Sequence, residues 1–290
     1  MENPCLTFVT PTLLAGDRSL ADVICHEIAH SWTGNLVTTR TWEHFWLNEG
    51  CTMWVQRKIM ERLHGEHFFD FDARIGQKAL ADNVEVMGAD NPLTALVGAS
   101  AFAVLPSVLH FAAVHNALLL RPAQIPKLDG VDPDDAFSTV PYEKGFSLVY
   151  HLQDVAGGAK AFDPWFRSYI EKYAGKTVTS EEFKAHYLAT FESKVDTSVI
   201  DWNKWFFSAG LVDWEHNWDD TLRNKCIALA DKWVAGGEEC TTSEEWDAMN
   251  TGQRITVLEY LQDVQAANKA DDKLTHDIAA IARMDKLYVA

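Results

Sequence analysis

Two histidines four residues apart, His26 and His30, flank a glutamate in the run His26-Glu27-Ile28-Ala29-His30. On a helix, that spacing puts both imidazoles on one face, one turn apart, able to hold one zinc ion. Glu27 is rotated by about 100° from His26. Its carboxylate therefore stands beside a metal rather than on it, where it can take a proton from a bound water. Eighteen residues separate His30 from Glu49, a candidate third ligand. Three protein ligands leave a fourth position open, which is the pattern of a catalytic zinc rather than a structural one. Zinc lowers the pKa of bound water from about 16 to about 7. At about 1.4 kcal/mol per unit, that is on the order of 12 kcal/mol toward hydroxide. With Glu27 as general base, attack on a carbonyl becomes feasible at neutral pH. The oxyanion that forms then needs a donor from elsewhere in the chain.

These groups require one helix for the histidine pair and a second element for Glu49. Ser19 is a candidate N-cap for the first helix, and Asp22 suits its positive end. Gly34 predicts its stop. Residues 35–43 are β-branched and predict a loop or short strand. A second helix is expected from about His44 to Leu63, carrying Glu49 and a core of Phe45, Trp46, Met53, Trp54 and Ile59. A third is expected over 66–86. Upstream, residues 1–15 read as an extended segment that buries Leu6, Phe8 and Val9. Downstream, helices are expected at about 143–156, 161–173 and 180–194, the last opened by a capping box of Thr179 and Glu182. Residues 201–210 predict a short aromatic helix, and from 219 on three or four helical segments follow. Strand signal almost vanishes after residue 40, so the predicted fold class is mainly α, with stacked antiparallel helices toward the end.

A chain of 290 residues can bury a sizeable core and make two domains. Its net charge of −17 argues against nucleic acid as a partner, because phosphate binding needs a basic surface. It is compatible with a cationic group such as a free amine. Five scattered cysteines, an odd number without a C-x-x-C pair, favour a reduced, intracellular setting over a disulfide scaffold. Cys25 points away from the His26/His30 face and reads as packing. The first residues carry no secretory signal, so the protein is expected in the cytoplasm. From Leu93 to Leu120 no residue is charged, a length that meets the criterion for a membrane span. Pro106, His110, His115 and Asn116 interrupt it and no second span follows, so a membrane location is not favoured. His110 and His115 are five apart, the wrong spacing for one helical face.

Taken together, several motifs resemble the gluzincin zinc aminopeptidase family, and within it the bifunctional leukotriene A(4) hydrolase group. They are Met1-Glu2-Asn3, the His26–His30 run with Glu49, Trp46-Leu47-Asn48-Glu49-Gly50, and Pro141-Tyr142-Glu143-Lys144-Gly145. The resemblance implies a thermolysin-like catalytic domain, its β part largely missing here, over 1–212, and a partial α-helical C-terminal domain over 213–290. It implies one zinc held by His26, His30 and Glu49, with Glu27 as general base. Tyr142 would donate its hydroxyl to the oxyanion. Glu2 would bind the free α-amine of a peptide substrate. Asp134 matches the acid that assists hydrolysis of a lipid epoxide in some members. Phe137 departs from the pattern, standing where those members often carry Tyr. Residues 98–125 have no counterpart in the family and read as an insert between Leu93–Val97 and Lys127–Gly130. The rival functions are a thermolysin-like endopeptidase and an inactive zinc-binding or interaction fragment.

Overall fold

The computed structural model describes residues 2–14, 16, 18–97, 138–214, 216–235 and 243–270. Helix α1 covers Ala21–Ala29 and strand β1 covers Val37–Thr39. Helices α2 and α3 cover Trp46–His64 and Phe68–Met87. A single π-helical turn, Val140–Lys144, leads into α4, Gly145–Val155. Then follow α5 (Ala159–Tyr173), β2 (Lys176–Val178), α6 (Ser180–Phe191) and α7 (Trp202–Phe207). Helices α8 (Thr221–Ala235), α9 (Ser243–Asp247) and α10 (Thr251–Ala270) complete the described chain. The mainly α expectation holds. The one described sheet has two strands, β1 and β2, parallel and in register from Val37 opposite Lys176 to Thr39 opposite Val178.

The chain divides into two compact units. One comprises Met1–Pro11, Asp22–Ile59 and Gly76–His216; the other comprises Thr12–Ala21, Met60–Ile75 and Asn217–Ala290. In the first, Trp46 of α2 packs edge-on against Phe183 of α6, with ring centroids 5.4 Å apart. Trp165 and Tyr169 of α5 meet the same Phe183 ring. The indole nitrogen of Trp46 donates to Ser180 Oγ at 2.9 Å, so the largest buried side chain of α2 has its polar atom satisfied. Helices α2 and α4 approach backbone to backbone. A Cβ built on Gly50 would lie 2.5 Å from the carbonyl carbon of Gly145, so glycine is what permits the contact. The predicted capping box is present: Glu182 N–H donates to Thr179 Oγ1 at 3.2 Å, and Thr179 N–H to Glu182 Oε2 at 2.9 Å. In the second unit α8 packs along α10, and Trp233 meets Trp246 at 5.3 Å. The N-terminus of α8 is held by Asp70, whose carboxylate accepts from Asp219 N–H at 2.7 Å.

Several expectations are corrected. Leu6, Phe8 and Val9 are exposed at 66%, 54% and 42%. An extended segment buries one face only by packing it on another element, and this one pairs with neither β1 nor β2. Helix α1 ends at Ala29, not near Gly34. Ser31 N–H and Trp32 N–H bond three residues back, and the Asn35 side chain takes the His30 carbonyl at 3.0 Å. These bonds tighten and then close the last turn. Residues 42–44 form a 3-10 turn before α2, and Phe45, Met53 and Ile59 are half-buried rather than core. Helix α6 stops at Phe191, three residues before the expected end. The charge-free stretch beyond Val97, residues 98–125 that were expected to be an insert, Asp134 and Phe137 lie outside the described residues. No helix among the described residues is long and apolar enough to cross a membrane.

Candidate metal site

Helix α1 supplies His26 directly. His30 follows its last residue, yet its N–H still donates to the His26 carbonyl at 3.1 Å. The helical spacing is thereby kept across the helix end, and both imidazoles face the first turn of α2. His26 Nε2 lies 3.2 Å from Glu49 Oε2, and His30 Nε2 lies 3.3 Å from the same oxygen. The two Nε2 atoms are 3.0 Å apart. Among the described residues, His26, His30 and Glu49 are the one trio of His, Cys, Asp or Glu side chains placed to share an ion, with ligand atoms within 4.8 Å of one another.

The far side of each ring shows which atoms face this point. His26 Nδ1 is 3.0 Å from Gln56 Oε1, an acceptor, so Nδ1 carries the hydrogen. His30 Nδ1 is 2.8 Å from the Thr33 carbonyl and 2.9 Å from Glu2 Oε2, so it too is the N–H donor. Both Nε2 atoms then present lone pairs to a carboxylate. Three lone-pair donors pointing at one spot repel one another unless a cation sits among them. Two imidazoles and a carboxylate at that spacing suit zinc. The same demand for positive charge appears in the titration of the trio. Burial pulls the His30 pKa down, but bonds to Glu2 and Glu49 outweigh it and raise it to about 10. Burial pushes Glu49 up, and the bonds from His26 and His30 hold it below the ordinary carboxylate range.

Outer groups steady the ligands. Gln56 lies seven residues after Glu49 and Thr52 three after it, which puts all three on one side of α2. Thr52 Oγ1 sits 3.1 Å from His30 Nδ1, donates to the Thr33 carbonyl at 2.8 Å, and meets Thr33 Oγ1 at 2.6 Å. Sequence reasoning missed Gln56, Thr52 and Thr33. The helical face defined by Glu49 was the signal that could have found the first two.

Tyr142 is brought to the site by the π-turn. Its ring stacks on His26 with centroids 5.8 Å apart. Burial, with Glu49, Glu2 and Glu27 nearby, raises its pKa well above the usual phenol value, so the hydroxyl keeps its proton and remains a donor. Glu27 is thus close enough to Tyr142 to act on its charge state. Glu2 lies beside His30, tight against Gly34. A Cβ on Gly34 would come 2.5 Å from Glu2 Oε2, and the backbone there has φ of +134°. Six of the seven sequence-predicted site residues therefore gather in one place; the seventh, Asp134, is outside the described residues. Cys25 is half-buried and a free thiol.

The profile described as "Peptidase family M1 domain" matches residues 1–102 and 113–205. Leukotriene A-4 hydrolase of Xenopus laevis is 45% identical over 265 residues, covering 90% of this chain and 39% of the relative. Leucine aminopeptidase 2 of Pyricularia oryzae is 40% identical over 277 residues, 93% of this chain and 40% of the relative. A solved structure titled native yeast LTA4 hydrolase superposes with a TM-score of 0.72 at 37% identity, over 90% of this chain and 39% of that one. The chain thus spans about two fifths of the length of the relatives it matches. The resemblance read from the motifs is borne out by these matches.

Proposed function

We propose that this chain, which belongs to peptidase family M1, carries the metal centre of a zinc aminopeptidase that removes N-terminal residues from short peptides. The observation that carries the reading is the convergence of His26, His30 and Glu49, with the Tyr142 ring on His26 and Glu27 among the acids that raise the Tyr142 pKa. Zinc bound there would supply a Lewis acid for the carbonyl and acidify water. Glu27 would take the proton from the attacking water and hand it to the leaving amine. Tyr142, kept protonated, would donate to the oxyanion. Glu2 would hold the substrate's α-ammonium; its Oε2 lies 2.9 Å from His30 Nδ1, next to the metal ligands. The name leucine aminopeptidase on the Pyricularia relative supports a peptide substrate with a free N-terminus. The name leukotriene A-4 hydrolase on the Xenopus relative supports a second activity on a lipid epoxide, in which Asp134 would take part. A reducing, cytoplasmic setting belongs to the same proposal, on the ground that the five cysteines are scattered and include no C-x-x-C pair. We place the catalytic domain at 1–212 and part of a helical domain at 213–290.

The test is zinc content and hydrolysis of an aminoacyl chromogenic amide by the purified chain, beside Glu27→Gln. One zinc per chain with turnover lost in the variant is expected. Equal turnover in both would refute the role of Glu27. An endopeptidase is separated by Glu2→Ala, which should abolish cleavage at free N-termini and leave an internal-bond cleaver untouched.

A further inference from the structure

We propose that Arg57 and Glu143 form a positioning pair that ties metal-bearing helix α2 to the turn presenting Tyr142. The inference rests on the aminopeptidase reading for its catalytic meaning, but its geometry stands apart from it. Glu143 immediately follows Tyr142 in the π-turn. Arg57 Nη1 donates to Glu143 Oε2 at 3.0 Å and Nη2 to Oε1 at 2.9 Å, so both forks engage. The pair is buried, with Arg57 1% and Glu143 7% exposed. The guanidinium also lies over the Phe146 ring, 4.0 Å from its centroid. Gly76 makes room: a Cβ there would collide with Glu143 Oε2 and Arg57 Nη2.

Why should such a pair exist here? A buried ion pair rarely adds stability over well-packed apolar groups, but a two-point fork fixes direction. The π-turn is a single wide turn, and the position of Tyr142 depends on its setting. Arg57 is the neighbour of Gln56, whose carboxamide holds His26. Consecutive residues of α2 therefore hold the two partners of the stacked contact: Gln56 steadies His26, and Arg57 steadies the turn that carries Tyr142. Ser147 adds a third tie, donating to the Glu143 carbonyl at 2.6 Å. A misplacement of about 1 Å can cost about a hundredfold in rate, so a group acting on an oxyanion needs this control.

The experiment uses the full chain with ring-13C tyrosine, metal-free and zinc-loaded, with Tyr142 assigned by Tyr142→Phe. The main variant is Arg57→Met with Glu143→Leu, which replaces the pair by apolar groups and strands neither charge. Its Tyr142 ring signal should shift and broaden in both metal states, while zinc stoichiometry stays at the native value. On the chromogenic amide its kcat should fall about ten- to a hundredfold with KM little changed. Arg57→Lys, which keeps the charge without the fork, should show a smaller displacement of the signal. If the double variant does not fold, Glu143→Gln is read in its place, with the same shift expected. A folded variant with the Tyr142 signal in its native position overturns the proposal, whatever the turnover. Native turnover in Tyr142→Phe would instead sink the oxyanion-donor reading and leave the ring signal to decide the positioning claim.

Discussion

Replacing Lys144 by Met tests the packing around the site. Lys144 is 1% exposed, and its ammonium donates to three carbonyls: Thr94 at 2.8 Å, Ser208 at 2.7 Å and Gly210 at 2.8 Å. Those carbonyls lie 50 to 66 residues away in sequence, so one side chain gathers two distant loops under the π-turn. Methionine matches the stem but donates nothing. Each stranded carbonyl should cost about 1 kcal/mol, or about 3 kcal/mol in all. For a chain of this size that is a fall of about 6–12 °C in melting midpoint. Thermal unfolding followed by circular dichroism reads it directly. The pH dependence adds a sign. Burial lowers the Lys144 pKa from 10.5 to about 8. Between those values the unfolded chain holds a proton that the folded chain has released, so stability rises with pH. The native protein should gain on Lys144→Met as pH climbs from about 8 toward 10.5. A midpoint loss equivalent to less than about 1 kcal/mol near pH 10.5, where no buried charge offsets the bonds, would show that the carbonyls are satisfied without Lys144, and would refute the reasoning.

Other outcomes follow from the same geometry. Glu49→Gln removes the charge between two imidazole lone pairs, and chelator competition should show zinc affinity lowered at least about tenfold, the scale of milder outer-shell changes. Metal-free protein should lose stability as pH rises from 6.5 toward about 10, because the raised His30 pKa contributes fully only below the unfolded value. Urea titrations across that range check the slope, and saturating zinc should abolish it. Gly50→Ala places a methyl against the Gly145 backbone, which cannot yield as a side chain would, so α2 and α4 must part at a cost of about 1–3 kcal/mol. Thr179→Ala deletes half of the capping box, and its urea midpoint should report about 1 kcal/mol.

What the sequence made readable was whatever a single helix dictates. His26 and His30 face one way because of the helical repeat, and the Thr179–Glu182 box announced α6 by local hydrogen bonding alone. Glu49 was within reach because it opens the next helix. The misplaced residues were those whose setting depends on partners far along the chain. Leu6, Phe8 and Val9 carry an apolar signature, but apolarity says which face seeks cover and not what covers it. The end of α1 was set by the Asn35 side chain and a tight turn, neither visible as periodicity.

The charged residues around Tyr142 make the same point from the other side. Arg57, Glu143 and Lys144 would pass for solvated surface on composition, yet all three are buried. Charges go inside only when partners await them, and here the partners are one another or backbone carbonyls of remote loops. An apolar core would hold the π-turn with equal strength but with less directional control, because apolar contacts slide where a forked ion pair cannot. Concentrating directional bonds on the residues next to Tyr142 is what a fold would do if that hydroxyl had to meet a charge developing at a fixed point. The metal ligands follow the same logic, each imidazole held at its far nitrogen by a group that fixes its rotation. The tyrosine and the two histidines are thus positioned by one device, buried polar bonds on one helix and its neighbours, and α2 is the element that supplies most of them.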